Sequence, residues 1–453
     1  MSDQPASFTR PAHSNYRWII CALLLFSTTF NYLDRQVISY LKAYYCTPIA
    51  QGGFGWSNTD FANLTSFFTA FYAGMTMFAG YIIDRIGTKL GLALSLIVWS
   101  VFGILNAFVG SLVFMHILVR SAFGIGEGGN FPASIKTVAE WFPKKERALA
   151  TGIFNSGSNL GAMLAALVVP WCLVYFGNEK GWKMAFILTG AIGFIWLIFW
   201  YWLYETPSRQ RRLSQEEYDY IHSDNTPESD AADSKPIAWK RLFQLRQTWA
   251  FVSGKFLTDG VWWFYLFWLP DYLRKQFNMT SEQVWLPTFI VYGVAIIGSI
   301  YGGAIPMMFI RRGLPVYQAR MRAMLLIALF PFIVLSTQYF GNVARFGNLA
   351  ATLAVATICV AAAAHQAWSA NLFTTVSDMF PRKAVGTVTG IGAMAGGLGG
   401  VVVQKLAGNL TDVFAANPQH AYLIMFITCA ASYITAWAVI KLLVPRPDLA
   451  TIA

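Results

Sequence analysis

Phe142-Pro-Lys-Lys-Glu-Arg-Ala-Leu-Ala-Thr-Gly-Ile153 returns at a fixed offset as Phe380-Pro-Arg-Lys-Ala-Val-Gly-Thr-Val-Thr-Gly-Ile391, and without a gap Leu160-Gly161 then falls on Leu398-Gly399. An offset held over some twenty positions marks an internal duplication, and parallel six-helix repeats are a transporter architecture. Working outward from the two copies, apolar runs near 17–42, 60–83, 90–109, 112–136, 148–176 and 183–204 precede a polar stretch. Six more follow it, near 247–273, 285–310, 321–340, 348–377, 385–413 and 420–443. Each is about the 20 residues that a helix needs to cross a bilayer. The expectation is an all-α membrane protein with twelve transmembrane helices in two pseudo-symmetric halves, 1–204 and 247–453. The polar stretch 205–246 joins them as a cytoplasmic linker.

Composition agrees. Hydrophobic residues make up 56% and charged residues 12%, with mean hydropathy +0.47, whereas a soluble domain carries about 25% charged residues. The net charge of +11 does not point to nucleic acid, because the basic residues gather at alternate turns. Examples are Arg85 and Lys89, Lys144-Lys145, Arg209 to Arg212, Arg311-Arg312, Arg382-Lys383 and Arg446. The positive-inside rule then puts both termini in the cytoplasm of a multi-pass plasma (inner) membrane protein. The first apolar run has no small-residue cleavage site after it and reads as a retained span. The five cysteines lie in or near apolar runs with no CxxC, so neither a disulfide framework nor a metal site is expected. No GxSxG, Walker A or HExxH occurs, so no enzyme and no cofactor is expected. Gly396-Gly-Leu-Gly-Gly400 lies within an apolar run and reads as helix packing.

Charges inside the apolar runs carry the functional reading. Each costs roughly 2.5–3.5 kcal/mol on insertion scales, so such residues face a cavity or a partner. Arg120 and Glu127 are two helical turns apart and leave one helix face; Asp34 and Arg35 interrupt the first run. One reading of Arg120 and Glu127 is an ion pair that locks two helices. The other is a polar site, favoured by the Gly124-x-Gly126-x-Gly128-Gly129 run, which removes side-chain bulk beside them. A guanidinium offers an anion a planar, bidentate fork. Burial disfavours the charge of a nearby carboxylate and an arginine favours it; an anion that takes the arginine therefore makes that carboxylate a better proton acceptor. That linkage is symport.

In the second half the duplication offset places Glu127 opposite His365 and Glu140 opposite Asp378. His365 and Gln366 read as cavity residues, and Asn371 lies on a nearby face. Lys255 and Asp259, four apart, either pair with each other or leave Lys255 for a substrate carboxylate. Trp262, Trp263, Tyr265 and Trp268 offer stacking faces, of which one or two are expected at the site. Ser158 and Asn159 divide between substrate contact and helix–helix hydrogen bonding.

Gly80-x-x-x-Asp84-Arg85-x-Gly87-x-Lys89 resembles the loop motif of the major facilitator superfamily. Asn31-Tyr-Leu-Asp-Arg35 and Arg120-x6-Glu127-Gly-Gly-Asn-Phe-Pro-Ala-Ser134 look like the anion:cation symporter family of sugar-acid and organic-anion carriers. Gly254-Lys-Phe-Leu-Thr-Asp-Gly-Val-Trp-Trp-Phe-Tyr-Leu-Phe-Trp-Leu-Pro270 and His365-Gln-Ala-Trp-Ser-Ala-Asn-Leu-Phe-Thr-Thr-Val-Ser-Asp378 are similar to its hexuronate-transporter branch. The resemblance implies proton-coupled import of a hexuronate such as galacturonate or glucuronate by a carrier that acts as a monomer in the lipid bilayer. It implies Asp34 and Glu127 as proton-binding carboxylates, and Tyr32, Arg35, Tyr72 and Arg120 as substrate-cavity residues. Asp84 and Arg85 form a conformational latch in this reading. The polar positions of galactonate carriers fall near Ala370, Leu372 and Ala393 here, which speaks against galactonate. The alternatives are a symporter of another sugar acid or organic anion, such as galactonate or gluconate, and an anion facilitator or channel.

Overall fold

The computed structural model describes residues 11, 13–223, 239–280, 282–380 and 382–446, and the regular structure among them is helical throughout. The first half comprises α1 (Tyr16–Cys46), α2 (Asn58–Ile86), α3 (Thr88–Leu105), α4 (Val113–Glu127), α5 (Asn130–Trp141) and α6 (Lys144–Leu203). A short helix, α7 (Gln215–Ile221), follows in the linker. The second half comprises α8 (Arg246–Phe277), α9 (Trp285–Ile310), α10 (Val316–Leu329), α11 (Leu349–Met379), α12 (Arg382–Val413) and α13 (Pro418–Leu443).

Eight helices among the described residues are long and apolar enough to cross a membrane. At 31 and 32 residues, α1 and α8 are also long enough, yet they fall outside that set. They carry Asp34, Arg35, Lys42, Lys255, Asp259 and Asp271, the charges that concern function.

Three expected spans differ in detail. The run 112–136 is broken, because α4 stops at Glu127 and α5 begins at Asn130. Gly128 and Gly129 keep near-helical φ/ψ there, and the glycines of this stretch serve packing. A Cβ on Gly126 would lie 2.5 Å from Trp99 N, and one on Gly129 1.9 Å from Ser95 Oγ. Without side chains there, α4 and the start of α5 lie close against α3. The runs 148–176 and 183–204 are the two arms of α6, joined where Gly177 adopts φ 72°, a conformation open to glycine. The run 321–340 leaves α10 at Leu329 for a tighter 3-10 segment, Phe330–Ser336, whose second residue, Pro331, has no N–H to donate.

The duplication read from sequence has a physical counterpart. A Cβ on Gly161 of α6 would lie 2.2 Å from the Thr29 carbonyl oxygen of α1, and a Cβ on Gly399 of α12 would lie 1.9 Å from the Phe256 carbonyl oxygen of α8. The two glycines that the repeat pairs do one job: each lets its helix meet the first helix of its own half backbone to backbone. The glycine run at 396–400 is likewise packing. Gly400 seats Trp263, and Gly397 meets Ala73 of α2.

That last contact lies on the seam between the halves, which α2 and α12 form with support from α1 on α8 and α6 on α9. From Asn58–Asp412 to Ala73–Gly397 the two helices run together for roughly 22 Å, at 1.5 Å per residue. Where the chain enters α1, Glu217 of α7 accepts hydrogen bonds from Tyr16 N at 2.8 Å and Arg17 Nη1 at 2.9 Å, so the linker helix is docked onto the first half.

Candidate substrate and proton site

Asp34, Arg35, Arg120 and Glu127 converge in the first half, each no more than 2% exposed. Glu127 does not pair with Arg120, its neighbour on the helix face, as the first of the two readings had it. Its Oε2 accepts from Arg35 Nε of α1 at 2.8 Å. Arg120 reaches across to the same helix and donates from Nη2 to the Arg35 carbonyl oxygen at 3.0 Å. The ion pair therefore joins α1 to the end of α4.

The Arg35 guanidinium sits among aromatic rings. Its Cζ is 4.2 Å from the ring centroid of Tyr32, 4.5 Å from Tyr72, 5.6 Å from Phe68 and 5.2 Å from Trp263. Trp263 belongs to α8, so the box is closed by the second half. Arg120 lies over Phe123 at 4.2 Å and Phe68 at 5.2 Å. Such faces attract cations in a desolvated setting.

What this cluster leaves unsatisfied matters most. Arg120 Nη1, Glu127 Oε1 and both oxygens of Asp34 are buried without a hydrogen-bond partner. Trp99 Nε1 and Thr189 Oγ1 face the Asp34 carboxylate but make no hydrogen bond of ordinary geometry to it. A buried polar atom with no partner forfeits its hydration, and native structures tolerate few. Others lie elsewhere in the protein, such as those of Ser134, Thr248 and Trp368, but this group alone has a cation end (Arg120 Nη1) and a carboxylate end (Asp34).

The second half supplies a separate cluster. Lys255 Nζ pairs with Asp259 Oδ2 at 2.5 Å and lies 4.1 Å over the Phe373 ring. His365 stacks on Trp262 at 5.1 Å with an interplanar angle of 5°, and its Nδ1 meets Tyr433 Oη at 2.8 Å. Of Trp262, Trp263, Tyr265 and Trp268, two are thus at the clusters, Trp263 beside Arg35 and Trp262 beside His365.

Other expected residues stand elsewhere. The amide of Asn371 donates to Gly302 O at 2.8 Å and Ala367 O at 2.9 Å, a helix contact between α11 and α9; only its Oδ1 is without a partner. Ser158 Oγ donates to Asn155 O within its own helix, while the buried Asn159 Oδ1 has no partner. Gln366 is half-buried beside His365. Glu140 is no counterpart of a central site, since it accepts from Thr88 at 2.7 Å and Tyr204 at 2.8 Å. Of the latch pair, the Asp84 side chain lies outside the described residues, as does that of Asp378; Arg85 is exposed and lies 4.3 Å over Tyr81.

Sequence reading passed over one constellation. Asp271 at the end of α8 accepts from Lys42 of α1 at 2.5 Å, from Tyr422 of α13 at 2.5 Å and from Lys275 at 3.1 Å, and Lys42 Nζ also lies 4.0 Å over Trp268. Beside it, Asp412 of α12 accepts from the backbone N–H of Asn58 at 2.9 Å and Thr59 at 2.7 Å, at the start of α2. Gln404 accepts from Thr65 and from Trp268, both at 2.9 Å. These contacts tie the halves together at the end of the molecule opposite the start of α1. Lys42 and Asp271 lie far apart in sequence, and the available signal was a charge of each sign near the same end of spans one and seven.

One turn pair further from this end than Ala73 and Gly397, the seam changes. Gly80 and Gly390 occupy the same helix faces seven residues on, and a Cβ on either would meet no atom of the described residues within 4 Å.

Two helical bundles around a buried charged site suit a carrier, and the comparisons agree. The family model of the Major Facilitator Superfamily matches residues 24–404. The chain therefore belongs to the major facilitator superfamily and is a transporter, not an enzyme. It is 30% identical over 432 residues to the hexuronate transporter of Escherichia coli (strain K12), which covers 94% of each chain. It is 32% identical over 297 residues to the galacturonate transporter of Dickeya chrysanthemi, covering 65% of this chain and 82% of that one. Within the superfamily it thus falls in the hexuronate-transporter branch. In fold it matches a bacterial homolog of the human lysosomal transporter Spinster, with TM-score 0.72, 17% identity and coverage of 97% of this chain and 100% of that one. A D-xylose-proton symporter matches with TM-score 0.69, 17% identity and coverage of 96% and 99%.

Proposed function

We propose that the chain is a proton-coupled importer of hexuronates, galacturonate or glucuronate, working by alternating access from a plasma membrane with both termini in the cytoplasm. The observation that carries this reading is Arg120 Nη1, buried without a hydrogen-bond partner among the described residues and electrostatically coupled to the buried carboxylates of Glu127 and Asp34. With Arg35, Arg120, Asp34 and Glu127 all ionised the site is neutral. A uronate adds one negative charge to a low-dielectric space, where an uncompensated charge is costly. A proton on Asp34 or Glu127 restores neutrality, so substrate and proton favour each other's binding. Arg120 takes the carboxylate through its free nitrogen. Tyr32, Tyr72 and Trp263 offer faces to the sugar ring, with His365, Gln366, Ser158 and Asn159 as hydroxyl partners. Closure at the Asp271 end together with open faces at Gly80 and Gly390 supports a carrier whose site communicates with the cytoplasm.

The test is uptake into proteoliposomes of purified protein. An acid-outside gradient should drive galacturonate or glucuronate above its equilibrium level, and a protonophore should abolish the excess. Uptake that equilibrates without exceeding the outside concentration would make the protein a facilitator. Stronger competition by galactonate or gluconate than by either uronate would move the substrate assignment.

A further inference from the structure

A carboxylate seat lies in the second half, and in this structure the chain's own Asp259 fills it. Asp259 and Lys255 share α8, and their ion pair is the only ionic or hydrogen-bonding contact of the Asp259 side chain among the described residues. The pair is poorly placed as a helix brace. A basic residue four positions before an acidic one opposes the helix dipole, and such pairs contribute little even in the better order. Its surroundings are unusual instead. The Asp259 carboxylate rests on the backbone of α12 where there is no side chain, since a Cβ on Gly396 would lie 2.2 Å from Oδ2. The next residue, Gly397, is the seam contact with Ala73, adjacent to Tyr72 of the Arg35 box. The pair therefore stands one residue along α12 from the interface of the halves. Its accessible edge is Asp259, whose side chain is 19% exposed against 5% for Lys255.

We propose that Asp259 is a stand-in for the substrate's carboxylate: it occupies Lys255 while the carrier is empty, and an incoming sugar acid displaces it. This rests on the sugar-acid reading above and gives the substrate's one carboxylate a second position at Lys255, occupied in turn with that at Arg120 Nη1. A bare lysine buried in an apolar helix bundle is expensive, so an empty carrier without a stand-in would carry an uncompensated charge through its conformational cycle. The stand-in lowers affinity, because substrate must compete with it, and it lets the empty carrier return. Asp259 is thus a positioning residue whose removal splits binding from turnover.

The experiment measures equilibrium binding and proteoliposome uptake for wild type, Asp259→Asn and Lys255→Gln/Asp259→Asn, each with galacturonate and with neutral galactose. Asp259→Asn is expected to bind galacturonate about tenfold more tightly than wild type while net uptake falls, with galactose binding unchanged. The double variant leaves no buried charge unpaired and so keeps the fold; it is expected to bind galacturonate more weakly than wild type. Equal or weaker galacturonate binding by a folded Asp259→Asn overturns the proposal, as a purely structural ion pair would give that result. If Asp259→Asn does not fold, the double variant decides alone: wild-type affinity there overturns the proposal. Wild type that binds no uronate at all overturns both this inference and the sugar-acid reading, whereas uronate binding by wild type with no gain in Asp259→Asn overturns only the former.

Discussion

Replacing Asp271 by asparagine removes one charge from the constellation that closes one end of the carrier. In the closed form Lys42 is 1% exposed and has Asp271 as its ionic partner at 2.5 Å. The variant leaves that ammonium buried against a neutral amide, and also weakens the hydrogen bond from Tyr422. Breaking a buried pair by removing one partner costs about 3–5 kcal/mol, and asparagine, which still accepts a hydrogen bond, belongs at the lower bound. When this end opens, Lys42 regains water, so the cost falls on the closed form alone. At 1.4 kcal/mol per tenfold, a penalty of about 3 kcal/mol shifts the closed-to-open ratio by roughly 150-fold. The chain carries its own reporter: Cys46 ends α1 at this end and is half-buried, while Cys21, Cys172, Cys359 and Cys429 are buried. Modification of Cys46 by a charged thiol reagent in detergent should accelerate in Asp271→Asn until it levels off at the rate of the open form. Lys42→Met/Asp271→Asn, which removes both charges, should label nearly as slowly as wild type, because an apolar replacement of a buried pair is often neutral. Wild-type labelling of Asp271→Asn would refute the assignment of this cluster as the closing contact.

Arg120→Lys keeps the charge but loses the fork and the free Nη1; with charged hydrogen bonds contributing about 1.5–3 kcal/mol, the Kd for galacturonate should rise between roughly tenfold and 150-fold. Isothermal titration with folded protein checks it, and unchanged affinity would remove Arg120 as the anchor. Asp34→Asn and Glu127→Gln imitate the protonated carboxylates: both should lose pH-driven accumulation while at least one retains exchange of labelled for unlabelled substrate. Accumulation that survives in both would end the coupling assignment. Gly161→Ala and Gly399→Ala each drive a methyl group into a backbone carbonyl, and overpacking of this kind costs about 1–3 kcal/mol. Both variants should melt at lower temperature than wild type, and an unchanged Tm would show that the helix pairs part easily.

The duplication, the helical membrane class and the four buried charges of the first half were legible because each rests on a local rule. An offset repeats, an apolar run has a length, and a charge in such a run stands out. Pairing was not legible. Helical periodicity puts Arg120 and Glu127 on one face, yet Glu127 meets Arg35, a partner 92 positions away in sequence. Asn371 shows the same limit: its amide donates to the carbonyl of Gly302 on another helix, a contact that no local rule announces. Trp99 and Thr189 lie close to Asp34 and Tyr433 meets His365, but an indole, a hydroxyl and a phenol in an apolar helix carry no sequence signal of their own.

In the alternating-access cycle proposed above, the seam of α2 and α12 is a lever with its fulcrum at Ala73 and Gly397. Small residues line both arms: Ala62 meets Gly408 on the engaged arm, and Gly80 and Gly390 stand clear on the other. Two bodies turning about that point trade one engaged arm for the other, so Gly80 and Gly390 are surfaces cut for a contact made in the opposite posture. A large residue at Gly390 would act as a wedge that lets the lever rest one way only. Tyr72 adjoins the fulcrum on one body, and Asp259, resting on Gly396, adjoins it on the other. Points beside a pivot travel least, so the cargo is held nearly still while the walls on either side of it swing. What crosses the membrane is less the sugar acid than the opening through which it is reached.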